Sequence, residues 1–255
     1  MKNIFNNQRR QKAAISAFSI NALHLRNPWV AAWWSAAFPG FGHMFIGNYI
    51  KGYIFTIWEF YVNINSNLNT AIIYSFTGHF DKAKAVLDTR WLLLYTAVYV
   101  YAIWDSYRST VDLNKLAALA DKNHPHISPF AINSFEINYL DKRNPWVAAV
   151  WSAFTPGLGT LYSLRTITGF YALSLWIITA YFSHIFQAIY YTAIGAFEQA
   201  AAAADPEWLL FMPSIYCYGI YGSYVHTVEY NKLFKLEQSR FLKESYQNRD
   251  FDMPV

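Results

Sequence analysis

Cysteine is nearly absent from this chain. Cys217 stands alone in an apolar run, which excludes an intrachain disulfide and any cysteine-built metal cluster. Charge is scarce too: 14% of the 255 residues are charged, and no Lys or Arg occurs between Thr166 and Asn231. An ordinary soluble domain carries about a quarter. Catalytic signatures are also missing. There is no Gly-x-Ser-x-Gly elbow, His-Glu-x-x-His, phosphate-binding glycine loop or Cys-x-x-Cys. Nothing supplies a nucleophile and a base together, so neither an enzyme nor a cofactor is expected.

What the chain does have is apolar and aromatic: 55% of residues are hydrophobic and 20% are Phe, Trp or Tyr. Trp91 to Tyr107 holds a single charge, Asp105. Runs of this kind are candidates for crossing a hydrocarbon core about 30 Å thick, and the aromatic excess fits belts at headgroup depth. The rival is a buried helix of a soluble protein.

The sequence is also written twice. Arg26-Asn27-Pro28-Trp29-Val30-Ala31-Ala32 returns as Arg143-Asn144-Pro145-Trp146-Val147-Ala148-Ala149, a shift of 117 (143 minus 26) that holds from Ala14 on Ala131 to Leu116 on Leu233. About four in ten positions match without a gap, which marks a duplication. The expected organisation is a basic tail over 1–13, one repeat over 14–116, a linker over 117–130, a second repeat over 131–233 and a charged tail over 234–255. Arg9, Arg10 and Lys12 ahead of Ala13 to Ile20 look like a signal peptide. The recurrence of that stretch at Ala131 to Asn138 argues instead for interfacial helices, since Ile15, Phe18, Ala22 and Leu25 have helical spacing.

Each repeat has three apolar segments. The first is interrupted by Pro39-Gly40-x-Gly42 or Pro156-Gly157-x-Gly159, which breaks a helix by removing a donor and admitting unusual backbone angles. Asp88 and Asp205 fit N-caps of the third segment, and Pro206 fits its first turn. The net charge of +4 gathers at the start, middle and end of the chain, which places all three regions in the cytoplasm by the positive-inside rule. Each repeat must then cross an even number of times. We therefore expect an all-α integral membrane protein of the plasma (inner) membrane, with both termini cytoplasmic. Each of its two tandem repeats has an interfacial helix, a Pro-Gly-broken re-entrant element and two transmembrane helices. Acids interleave the basic tails, for example Glu237 and Asp250, so anionic lipid headgroups are the expected partner and nucleic acid is not.

The polar residues inside the apolar segments are the candidate sites. Glu59, Asn63, Ser66, Asn67 and Thr70 share one face of a helix, and repeat two answers with Trp176, Ala180, Ser183, His184 and Gln187. Such residues either form a hydrogen-bonded seam between helices or line a ligand pathway. Asp105 belongs to the same set of candidates. His124-Pro125-His126 lacks a third ligand, so no metal site is expected.

The stretch Phe38-Pro39-Gly40-Phe41-Gly42-His43-Met44-Phe45-Ile46-Gly47-Asn48-Tyr49-Ile50-Lys51-Gly52 resembles the signature of the TM-two domain family of small bacterial membrane proteins. His43, Phe45, Gly47 and Gly52 fall on matching positions, and Trp104-Asp105 is similar to the family's late Trp-x-x-Asp region. Repeat two has Thr160, Tyr162, Leu164 and Gly222 where repeat one has His43, Phe45, Gly47 and Asp105, which confines any role of His43 or Asp105 to repeat one. The resemblance implies a paired-helix membrane module and no particular activity. The expected role is a non-enzymatic scaffold or accessory subunit, packed against other membrane-protein subunits or a second copy of itself. The alternative is a small-solute transporter, since duplicated bundles with broken helices are what transporters use.

Overall fold

A computed structural model describes residues 11–123 and 127–246; the histidine pair of the linker lies outside them. Repeat one opens with strands β1 (Ala13–Ser16) and β2 (Ser19–Ala22), followed by helices α1 (Pro28–Ala37), α2 (Phe41–Phe45), α3 (Tyr49–Ser66), α4 (Leu68–Phe76), α5 (Phe80–Val86) and α6 (Thr89–Asn123). Repeat two runs in the same order. Its elements are β3 (Phe130–Ile132), β4 (Ile137–Tyr139), α7 (Pro145–Phe154), α8 (Leu158–Tyr162), α9 (Thr166–Phe182), α10 (Ile185–Ala193), α11 (Phe197–Ala203), α12 (Pro206–Leu209) and α13 (Met212–Ser245). The chain is thus mostly helical.

The expected interfacial helices are antiparallel hairpins instead. Ile15 pairs with Ile20 across a two-residue loop, closed by Ser16 Oγ, which donates to Ser19 O at 3.0 Å and accepts from Ser19 N at 3.1 Å. In repeat two Asn133 Oδ1 accepts from the amides of Phe135 and Glu136. Ser and Asn offer the backbone these local bonds in place of a helical ladder, and β-branched Ile15 and Ile20 favour the pleated surface. Ile20 is buried with Ile127, Leu140, Tyr230 and Leu233. The boundaries of linker and tail shift as well, because α6 runs on to Asn123 and α13 to Ser245.

The Pro-Gly breaks fall where expected. Gly40 and Gly157 take φ of 101° and 104°, values that favour glycine. Both turns are packed inside protein: Pro39 and Pro156 are fully buried, and a Cβ on Gly42 or Gly159 would collide with the carbonyl of Ala31 or Ala148 in the preceding helix. A helix start follows each Asn-Pro, where Asn27 and Asn144 accept from the amides of Trp29 and Trp146. Asp88 and Asp205 cap as expected, accepting from Arg90 and from Glu207 and Trp208 respectively.

The second apolar segment is broken in both repeats, which its periodicity hid. Asn67 and His184 sit at φ 53° between α3 and α4 and between α9 and α10. No single helix among the described residues is long and apolar enough to cross a membrane, whereas two bent pairs pass together, α5 with α6 at 90° and α9 with α10 at 58°. Equivalent ends of the repeats meet. Asn138 Nδ2 donates to Ser16 O at 2.8 Å between the hairpins, and Asn69 Nδ2 donates to Glu207 O at 2.9 Å at the other end of the bundle. Between these ends Trp34, Phe38, Phe41 and Met44 of repeat one pack against Phe211 and Ile215 of repeat two.

Candidate functional site

Three polar constellations lie inside this helical frame, and the duplication lets each be read against its counterpart. The first is the seam at the end carrying α4 and α12. The buried face of α3 carries Glu59 and Asn63; Asn63 Nδ2 donates to Glu59 Oε1 at 2.9 Å and to Asn69 Oδ1 at 3.2 Å, and Tyr95 donates to Glu59 Oε1 at 3.2 Å. Glu207 of repeat two completes the seam by accepting from Thr70 N and Thr70 Oγ1, both at 2.8 Å. It therefore ties the repeats together. Asn67, His184 and Gln187 take no part: all three are exposed, because the break at Asn67 and His184 turns the following helix away from the face that straight periodicity implies. Asn67 Nδ2 instead donates to Val86 O.

The seam predicts a graded response. Glu59→Gln keeps an acceptor for Asn63 and Tyr95 and is expected to leave thermal stability in detergent near wild type. Glu59→Leu strands those donors and is expected to lower stability by about 1–3 kcal/mol. Equal stability of the two variants would remove the seam as an explanation.

The second constellation surrounds Asp105. Its Oδ2 accepts from Lys51 Nζ at 2.9 Å and lies 3.0 Å from His43 Nε2. A carboxylate only accepts, so the proton sits on His43 Nε2. His43 is fully buried. Tyr101 OH also donates to Asp105 Oδ1 at 3.5 Å, and the geometry serves to fix α2, α3 and α6 to one another. In repeat two the equivalent residues are Thr160, Thr168 and Gly222, and the ion pair is gone.

The third constellation, between the repeats, was not anticipated. Arg26 makes a bidentate pair with Glu229, Nε to Oε1 at 2.7 Å and Nη2 to Oε2, and Arg26 Nη1 donates to Phe45 O. Asn114 holds the Arg26 backbone from both sides, at 2.9 and 2.7 Å; Asn231 repeats this on Arg143. His226 Nδ1 lies 3.2 Å from Glu229 Oε2. Burial pushes the neighbouring His24 imidazole down to about 4, keeping it neutral beside these charges. Arg165 is 2% exposed and has no carboxylate within ion-pair reach among the described residues. Its Nη2 donates to Tyr49 OH at 2.7 Å and its guanidinium stacks on the Tyr49 ring.

The internal comparison carries the missed signal: Glu229 answers exposed Asp112, and Arg165 answers Asn48. Lys12, counted with the basic tail, is buried in a 2.7 Å pair with Asp121. Lys12 and Arg26 are therefore structural rather than headgroup contacts. Among the described residues no group of His, Cys, Asp and Glu has the arrangement of a metal site. No known protein family, curated protein or solved structure matches this chain.

Proposed function

We propose that this chain is a multi-pass integral membrane protein of the plasma (inner) membrane, with both termini cytoplasmic, serving as a non-enzymatic scaffold or accessory subunit of a larger membrane assembly. One observation carries the reading: large apolar side chains stand outward along the helices while the polar groups turn inward. Trp29, Trp33, Ile54, Ile57, Leu93 and Ile177 are each more than half exposed, whereas Glu59, Asn63, Asp105 and Glu229 are buried. Water-soluble monomers rarely expose apolar surface on this scale, and ionisable residues in membrane spans face the bundle interior. The abundance of Trp and Tyr lowers the mean hydropathy of each single helix, yet those rings suit the interface.

The meeting of like ends of the two repeats supports an even number of crossings per repeat. The cytoplasmic surface then presents Lys115, Lys142, Lys232 and Lys235, all exposed, to anionic headgroups. The turn at Pro39-Gly40 and the new helix from Tyr49 support the resemblance of Phe38 to Gly52 to the TM-two family. The transporter alternative draws support from the cavity between the repeats, but its volume of about 30 Å³ admits no more than a water or two.

Carbonate washing is expected to leave the protein in the membrane pellet. In a Cys217→Ser background, Ser128→Cys and Ser245→Cys are expected to react with a membrane-impermeant maleimide only after the membrane is opened. Labelling at position 128 in intact cells would overturn the topology, and release by carbonate would overturn membrane insertion itself.

A further inference from the structure

The cavity between the repeats is lined by Arg165, Thr160, Thr168, Gly222, Ser223 and His226 on its polar side, and by Phe41, Met44 and Leu175 on its apolar side. Three of these positions are the counterparts of the Asp105 trio: Thr160 answers His43, Thr168 answers Lys51 and Gly222 answers Asp105. In repeat one these positions carry the ion pair of Lys51, His43 and Asp105. In repeat two the substitutions withdraw them, and the side chain that enters is Arg165.

The charge left behind is uncompensated. Arg165 is buried and the Arg26 side chain is 8% exposed; Glu229 is bidentate to Arg26 alone, so the centre holds two guanidiniums against one carboxylate. Among the described residues Arg165 Nε has no hydrogen-bond partner, and neither has His226 Nε2. A buried cation without a counter-charge is costly, and a donor without an acceptor adds to that cost. Both are relieved by an anion in the cavity. From the cavity's lining and the unpartnered Nε of Arg165, a guanidinium that faces no carboxylate, we infer that the inter-repeat cavity is an anion-binding site, taking one halide-sized ion or a single anionic oxygen of a lipid headgroup against Arg165. A cavity of about 30 Å³ leaves room for one such group and a water that donates to His226 Nε2.

The site rests on side chains of both repeats and does not depend on the scaffold reading. Its test uses the full chain purified in a non-ionic detergent, with thermal unfolding followed by tryptophan fluorescence. Sodium chloride is titrated against sodium gluconate at constant ionic strength, gluconate being too large to enter. A saturable rise in Tm of a few degrees is expected for chloride, as for any ligand that binds only the folded state. In a parallel arm the protein is reconstituted in gluconate in phosphatidylcholine nanodiscs with or without phosphatidylglycerol; a rise confined to the anionic lipid identifies the headgroup as the source and equally supports the site.

Two variants restore the residues of repeat one. Arg165→Asn removes the cation, and Gly222→Asp supplies a built-in carboxylate where a new Cβ meets no atom closer than 3.7 Å. Both are expected to lose the anion response, and Gly222→Asp is expected to unfold at the anion-saturated temperature of wild type in chloride and gluconate alike. Should Arg165→Asn fail to fold, Gly222→Asp decides. Absence of any response in wild type to chloride and to phosphatidylglycerol, or an undiminished response in Gly222→Asp, would overturn the assignment.

Discussion

Glu229→Leu is expected to destabilise the protein by about 3–5 kcal/mol, the cost of leaving a buried ion pair with one partner. The side chains of Arg26 and Glu229 are 8% and 9% exposed, so the guanidinium cannot reach water once the carboxylate is gone, and His226 loses the acceptor for its Nδ1 proton at the same time. The duplication provides a matched control. Asp112 occupies the same place in repeat one, but it is exposed and, among the described residues, pairs only with surface Lys115 and Arg108, at 3.4 and 4.0 Å. Asp112→Leu is expected to change stability by no more than about 0.5 kcal/mol. Unfolding titrations of both variants in mixed micelles check the difference. Similar losses at 112 and 229 would mean that the Arg26 pair does not hold the repeats together.

Gly159→Ala is the second large effect. The close approach of α8 to α7 leaves no space for a methyl group: a Cβ there would overlap the carbonyl oxygen of Ala148 and the hydroxyl of Ser152. A backbone carbonyl inside a helix cannot rotate aside, so α8 must move, at a cost of about 1–3 kcal/mol or more for overpacking a dense interior. Gly42→Ala is expected to behave alike, since Ala31 and Ser35 block it in the same way. The opposite sign is expected at Gly222→Ala, which lies within α13 where a Cβ would meet the Tyr218 ring at an ordinary contact distance of 3.7 Å. There alanine restricts the unfolded chain and adds up to about 1 kcal/mol of stability. Thermal melts of the three variants in one detergent test the pattern of signs; a stable Gly159→Ala protein would rule out the close helix contact.

These contrasts show which features the sequence makes legible. The Pro-Gly breaks and the Asp88 and Asp205 caps are local, each set by the chemistry of two or three adjacent residues, and all stand where the sequence puts them. The hairpins escape because Ile15, Phe18, Ala22 and Leu25 fit a helical spacing as well as a strand pair does. Burial decides between them: Leu25 is 68% exposed while Ile20 is 2% exposed. The break at Asn67 and His184 is equally silent, since apolar periodicity continues through a single left-handed residue, and Asn and His are among the few side chains that tolerate that conformation. Of the candidate site residues, Glu59, Asn63 and Asp105 are buried and hydrogen-bonded as their setting suggests. The Arg26–Glu229 pair joins residues 203 positions apart, and no local pattern announces it. Arg165 hides as the last basic residue before a long stretch without any.

Helices α6 and α13, of 35 and 34 residues, are each about 50 Å long. With the bilayer placed as proposed, about 20 Å of each projects beyond a 30 Å hydrocarbon core. The two hairpins, bound to α13 through Tyr230 OH on Ile20 O at 2.6 Å and sharing the Ile20–Leu140–Leu233 cluster, then build a water-bathed cap with an apolar centre of its own. Slow amide exchange at Ala14, Asn21 and Asn138, whose N–H groups fall in the hydrogen-bonded pairs of the two hairpins, would therefore time the opening of this cap, not the shielding of amides by acyl chains. Cap and bundle can release their protons to deuterium at different rates, each on its own clock.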